Sequence, residues 1–302
     1  MAKKKLTFST SNLFVIMNMN FFKKFDKIVL TSWKSYDKKD YETYSKAVSS
    51  MKDTTSDKPG QTFITTNKSN FEQLEEFKKK YDLDPTIHQK IRECQKSTNS
   101  CQVKEKKTEI LASLNNKKIK KDDIERITQL VNNSTNTVFG CKQEKSTIQE
   151  FEDIQQCKVI GGQKRCEYKV CDFKDGHEVI LVGKIDGITE DGKIIEVKNR
   201  INKNFNFLKD YETPQIMTYM WMNDAKEGFM VENLKSRSKS EMNVIPVEYR
   251  DDYVESFVIP NVERYFKFFE YFMDSEELKT SILKGEESVV YEYFMNHFKL
   301  EN

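Results

Sequence analysis

The sequence predicts a mixed α/β (α+β) fold with a helical N-terminal region, and three features of its 302 residues predict it. Apolar residues recur at helical spacing as far as about residue 134, in Ile110, Leu111 and Leu114 and then in Ile124, Ile127, Leu130 and Val131. Beyond that point, short runs rich in Val and Ile are separated by Asp-Gly pairs, the mark of hairpins. Further helix-like and strand-like runs then alternate, as a mixed central sheet flanked by helices requires.

Residues 1–52 carry 11 lysines against 4 acids, and residues 250–302 carry 6 basic against 12 acidic side chains. The formal net charge of +2 therefore hides a basic N-terminal end. Such an end suits a phosphate-binding surface and equally an ordinary solvated face. Leu13–Met17 behind Lys3-Lys4-Lys5 has the outline of a signal peptide, but its apolar run is too short and asparagines break it. No run approaches the ~18 apolar residues of a membrane helix, so no membrane partner is expected. Six cysteines without any CxxC pair indicate free thiols in a reducing, intracellular compartment.

Asp53–Gly60 (DTTSDKPG) has the composition of a linker. Phe71–Tyr81 reads as a charged helix, Asp84-Pro85 interrupts it, helix resumes at Ile87, and Ser97–Ser100 breaks it again. This divides the chain into a basic, mostly helical region, 1–134, and a second region, 135–302. In the second, Cys141–Gln156 reads as a helix. Cys166–Phe173, Glu178–Asp186 and Lys193–Asn199 read as an antiparallel meander. A helix over Lys209–Asn223 with Pro214 near its start, strands over Glu227–Glu232 and Asn243–Glu248, and a long aromatic helix over Val254–Met273 complete the pattern.

The chemistry concentrates in Gly183-Lys184-Ile185-Asp186-Gly187 and Gly192-Lys193-Ile194-Ile195-Glu196-Val197-Lys198. Side chains alternate along a strand, so Glu196 and Lys198 share one face while Ile195 and Val197 enter a core. If Asp186 joins that face, two carboxylates form a hard-oxygen site suited to Mg²⁺ or Mn²⁺. A lysine beside them can orient an attacking water. Register decides the matter. A two-residue turn at Asp191-Gly192 would put Asp186 on the opposite face. A three-residue loop, Glu190-Asp191-Gly192, puts Asp186 across from Glu196 and requires Gly192 at positive φ. The spacing E-x-K alone is uninformative, because Glu76-Phe77-Lys78, Glu105-Lys106-Lys107 and Glu167-Tyr168-Lys169 share it. His88, His177 and His297 are scattered, and no phosphate-binding glycine loop is present.

Asp186-x9-Glu196-Val197-Lys198 resembles the PD-(D/E)xK nuclease superfamily, in the branch of RecB-type nucleases, lambda exonuclease and YqaJ-type viral recombinases. Gln215-Ile216-Met217-Thr218-Tyr219 is similar to the QxxxY motif of that branch. Gly140-x3-Glu144, with Thr147 and Phe151, resembles the helix that donates a further glutamate. The resemblance spans roughly residues 135–235. It implies a restriction-endonuclease-like core with an antiparallel catalytic hairpin, and a Mg²⁺- or Mn²⁺-dependent deoxyribonuclease, first of all an exonuclease on linear duplex DNA in recombination, repair or genome processing. The alternatives are a RecB-type nuclease on single-stranded ends or flaps, and a non-catalytic nucleic-acid-binding protein on the same fold. By the same resemblance, Asp186, Glu196, the Val197 carbonyl and Glu144 hold the metal, Lys198 positions the nucleophile, and Gln215 and Tyr219 hold the substrate strand. A deeper likeness to lambda-type enzymes implies a homo-oligomeric ring and a single-strand annealing or recombination partner. No cysteine follows Cys171, so the iron–sulfur cluster of some RecB-type members is not expected. The low-Gly, Lys/Asn/Phe-rich composition suits an AT-rich, virus-type genome, placing the protein in a host cytoplasm or nucleus.

Overall fold

The computed structural model describes residues 4–19, 25–52, 70–115 and 119–300. The linker expected at 53–60 lies outside the described residues.

The chain opens with strand β1 (Lys5–Ser9), a 3₁₀ turn, and the short helix α1 (Leu13–Ile16). Helices α2 (Phe25–Tyr36), α3 (Lys38–Lys52), α4 (Asn70–Tyr81), α5 (Ile87–Gln95), α6 (Ser100–Asn115) and α7 (Lys121–Gln155) follow. Then come β2 (Val159–Ile160), β3 (Arg165–Asp172), β4 (Glu178–Lys184), β5 (Gly187–Thr189), β6 (Ile194–Asn199), α8 (Thr213–Met222), β7 (Glu227–Lys235) and β8 (Ser240–Glu248). A π-helical turn, Val254–Val258, runs into α9 (Ile259–Asp274), followed by α10 (Glu276–Lys284) and α11 (Glu287–His297).

The fold is mixed α/β, but its strands form two mixed sheets rather than one. In the first, β4 lies between β1, which is parallel to it, and β3, which is antiparallel. The second has the order β2-β5-β6-β7-β8, antiparallel throughout except for the parallel pair β6 and β7, which α8 connects. The expected three-strand meander is thus divided. Its first hairpin, β3/β4, belongs to one sheet and its second, β5/β6, to the other. The chain crosses between sheets at Ile185-Asp186, inside what reads in the sequence as one continuous strand.

Among the described residues four clusters of buried side chains hold these layers, a small one being Cys94, Val103 and Phe139 of α5, α6 and α7. The largest gathers Leu6, Phe8, Trp33, Leu181, Ile194, Tyr265, Phe268 and Phe272, so β1 and α2 pack with the aromatic face of α9. A second, among α4, α5, α6 and the start of α7, contains Leu74, Ile91, Ile110, Ile127 and Val131. The third places Phe151 of α7 on Ile195, Val197 and Val231. One continuous helix therefore serves three of these clusters, through Ile127, Phe139 and Phe151, and the division expected at 134/135 falls inside it. The structure moves that division: β1 and α1–α3 belong with the C-terminal half. The physical reason is that β1 finds its partner β4 some 173 positions away (Lys5 to Glu178), which no local pattern announces. Leu13, Val15, Ile16 and Met17, the signal-like run, are core residues.

Candidate active site

The β5/β6 hairpin closes as a three-residue loop. Thr189 N–H donates to the Lys193 carbonyl at 2.9 Å, Gly192 N–H donates to the Thr189 carbonyl at 2.9 Å, and Gly192 has φ +86°. A side chain at this left-handed position would be strained. The ladder pairs Ile188 with Ile194 and Gly187 with Ile195, and one further step sets Asp186 across from Glu196. Of the two registers the sequence admits, this is the one that the three-residue loop Glu190-Asp191-Gly192 requires. Val197 N–H donates to Asp186 Oδ2 at 2.8 Å and fixes the carboxylate at the end of the hairpin.

Around it opens a cleft of about 280 Å³ lined by Glu144, Asp186, Glu196, Val197 and Lys198, and also by Asn136, Gly140, Asn199 and Arg200. The residues expected to form the metal site therefore line one cavity. Glu196 is only 3 % exposed, Lys198 donates to its Oε1, and its Oε2 is buried with no hydrogen-bond partner. Burial pushes its carboxyl up to about 7; Lys198 opposes that shift and Asp186 adds to it. Burial likewise pushes Asp186 up to about 6, against the Val197 N–H and with the help of Glu144. Glu144 is raised too, chiefly by burial and with Glu196 adding to it, and it accepts from Gln163 Nε2. Burial alone would lower the Lys198 ammonium, but Glu196 outweighs it and the net shift is upward. The site is thus three crowded carboxyls, each disfavoured as an anion, beside one lysine that stays charged.

Among the described residues no three acidic, histidine or cysteine side chains already stand as a closed ligand set. As it lies, Glu196 is turned to Lys198. The donor chemistry nevertheless fits a hard divalent cation. The orphaned Glu196 Oε2 is the kind of buried polar atom that calls for a partner, and a dication would offset the burial, and the lesser mutual repulsion, that raise all three carboxyls.

Two neighbours were not legible in the motif. Asn199 accepts from Thr147 Oγ1 at 2.6 Å and donates to the Gly140 carbonyl at 3.0 Å, which ties β6 to α7 beside Glu144. Arg200 bridges two buried glutamates: its Nε reaches Glu232 Oε1 at 2.8 Å and its guanidinium reaches Glu212 Oε1 at 2.9 Å. Its position directly after the E-x-K strand was the available signal.

The expectation that Tyr219 holds the substrate strand is corrected. Tyr219 is 2 % exposed, and its hydroxyl meets Thr10 Oγ1 at 3.0 Å, Gln215 Nε2 at 3.0 Å and Lys184 N at 3.4 Å. Its ring lies so close over Gly183 that a Cβ there would stand 2.2 Å from Cε1. Tyr219 therefore anchors the segment that leads into Asp186 and does not present itself to a ligand. Half-buried Gln215 spends its amide on that same hydroxyl.

No family model matches the chain, and no curated protein matches it. Among solved structures, an alkaline exonuclease, LHK-Exo from Laribacter hongkongensis, aligns at 15 % identity over 61 % of this chain and 88 % of that one, with a TM-score of 0.33. The complex of LHK-Exo with dAMP aligns at 12 % identity over 61 % and 89 %, also at 0.33. SSO0001 aligns at 14 % identity and 0.33, and the match spans 46 % of this chain and 61 % of SSO0001, under two thirds of its length. Likenesses at this TM-score carry no argument, so the functional reading rests on the geometry of the site.

Proposed function

We propose that the protein is a divalent-metal-dependent deoxyribonuclease, working as an exonuclease on linear duplex DNA. The observation that carries the reading is Glu196: a buried carboxylate with one oxygen on Lys198 and the other on nothing, in register with Asp186 and in a shared cleft with Glu144. The arrangement costs stability as it stands, and it becomes favourable when a cation and a phosphate enter.

Asp186, Glu196, Glu144 and the Val197 carbonyl would hold Mg²⁺ or Mn²⁺, which would supply Lewis-acid polarisation of a phosphoryl oxygen. The rest falls to the chain itself. Lys198, raised by Glu196, is an ammonium at neutral pH and has no lone pair with which to take a proton. It orients the attacking water by donation and stabilises the negative charge that develops on the phosphate. Val197 N–H keeps Asp186 from rotating away, and the Thr147–Asn199–Gly140 bonds keep α7, and with it Glu144, against the strand.

End-labelled linear and closed circular duplex DNA, incubated with Mg²⁺ or EDTA, test the proposal. Linear DNA is degraded by wild type in Mg²⁺ alone, circles survive, and Lys198→Ala is inactive. Nicked circles would make the enzyme an endonuclease on the same site. DNA bound but uncut under every condition would overturn the nuclease reading.

A further inference from the structure

We propose that the loop between β6 and α8 receives an unpaired base of the DNA strand on the ring of Phe207, so that the cleft is fed by a single-stranded or frayed end. The inference rests on the nuclease reading above and names the form of its substrate.

Phe207 is 59 % exposed, the highest value of any large hydrophobic side chain among the described residues. It is not exposed for want of a place to go, because the loop is pinned from inside. Phe205 N–H and Asn206 N–H both donate to Glu232 Oε2, at 2.7 and 3.1 Å, and Asn204 Nδ2 donates to the Glu241 carbonyl at 2.7 Å. Asn206 holds a left-handed φ of +64°, and its side chain bonds Asn243. A fully buried carboxylate and two strand contacts thus fix the three residues that lead into a phenyl ring that faces water.

A continuous path leads from that ring to the cleft. Arg200 lines the cleft and lies 5.1 Å from the Phe205 ring centroid. Phe205 meets Phe207 edge-on, with centroids 6.4 Å apart at 81°. Lys209 Nζ and Lys203 Nζ stand 2.9 and 5.4 Å from the Phe205 centroid. The guanidinium of Arg200 is taken up by Glu212 and Glu232, so the cations beside the ring for phosphates are Lys203 and Lys209, whose Nζ also donates to Tyr211 Oη at 2.9 Å. An open aromatic face with lysines one side chain away is what binds single-stranded nucleic acid: bases stack, phosphates pair. Phe205 has its ring covered by cations, so Phe207 is the face that remains for a base.

The test is a set of affinities measured in EDTA, where no hydrolysis occurs, on a fluorescein-labelled 12-nucleotide single strand and a blunt 12-base-pair duplex. Phe207→Ala, a surface change, weakens single-strand binding about tenfold, within the range of one base–aromatic stack, and leaves duplex binding within about twofold. Phe207→Trp binds like wild type, and its indole fluorescence is quenched when oligothymidine is added. Unchanged single-strand affinity of Phe207→Ala, or equal losses on both probes, overturns the inference while the nuclease reading stands. A wild-type protein that binds neither probe overturns the inference, and the cleavage assay above then decides the nuclease reading by itself.

Discussion

Two glutamates on adjacent strands of one sheet are buried to nearly the same degree and live under opposite conditions. Glu232 of β7 is 0 % exposed, its oxygens accept from Arg200 Nε, Phe205 N and Asn206 N, and its Oε1 forms an ion pair with Arg200 Nη2 at 2.6 Å. Burial pushes its carboxyl up, but the two backbone N–H groups and the guanidinium outweigh it and leave it below its ordinary value. Glu196 of β6 is 3 % exposed, has one lysine, one orphaned oxygen, and a carboxyl pushed up to about 7. A buried charge with every lone pair answered builds the fold. A buried charge left partly unanswered, at the mouth of a cleft, is held for something that arrives from outside.

The sharpest way to break this contrast is to neutralise each residue in turn. Glu232→Gln leaves Arg200 with Glu212 as its counter-charge and gives the loop N–H groups a weaker, neutral acceptor. It should destabilise by about 1.5–3 kcal/mol in urea or thermal unfolding. Glu196→Gln keeps an acceptor for Lys198 and removes the orphaned charge, so its stability should stay within about 1 kcal/mol of wild type. Its cleavage of DNA should fall by at least about 10³-fold, some 4 kcal/mol of barrier. Similar stability losses in the two variants would erase the distinction.

The second prediction concerns pH and has opposite signs at the two sites. Glu196 and Asp186 have folded values near 7 and 6, above their ordinary 4.5 and 3.8. Their contribution to metal-free stability is full below those ordinary values and is lost as pH rises through 6 to 7. Glu232 is lowered, so its contribution is present above 4.5 and is lost as pH falls through its folded value. Thermal melts in EDTA should therefore show Asp186→Asn gaining on wild type between pH 5 and pH 8. Added Mn²⁺ should stabilise wild type at pH 8 and fail to do so at pH 5, where protons occupy its ligands. Equal stabilisation by Mn²⁺ at both values would argue against these carboxyls as ligands.

Tyr219→Phe tests the anchor behind Asp186. Losing a buried hydroxyl with three partners should cost about 1–2 kcal/mol, and should lower the cleavage rate without changing DNA affinity. A change in affinity would restore Tyr219 to the substrate surface. The smallest effect is expected from Gly192→Ala. No atom lies within 4 Å of a Cβ there, so the penalty is the left-handed backbone alone, about 1 kcal/mol.

The hairpin register was legible to within two choices because turn chemistry is local: Asp191-Gly192 suits a two-residue turn and equally the end of a three-residue loop, and each dictates which residues face each other. The identity of Glu196 and Lys198 as face-mates follows from alternation and needed no partner strand. What could not be read is what depends on contacts distant in sequence. The strand β1 offers only Leu6 and Phe8 as inward residues and pairs with a segment far along the chain. The continuity of α7 was hidden because its apolar residues change direction as it leaves one core for another, which blurs any single periodic stripe. Tyr219 could not be told from a substrate contact, because a helix-spaced Gln and Tyr look the same whether they face a cleft or Thr10.

The crossing at Ile185-Asp186 has a consequence for the tolerance of the chain to insertion and deletion. Surface loops absorb an added residue. Here the chain must leave one sheet and enter the other within two residues, with alternation intact on both sides. One residue more would leave the hairpin to hold Asp186 across from Glu196, as its own loop dictates, and would throw the mismatch onto β4, whose Gly183 must stay beneath the Tyr219 ring. Length at this point, rather than composition, is what the molecule is least free to change.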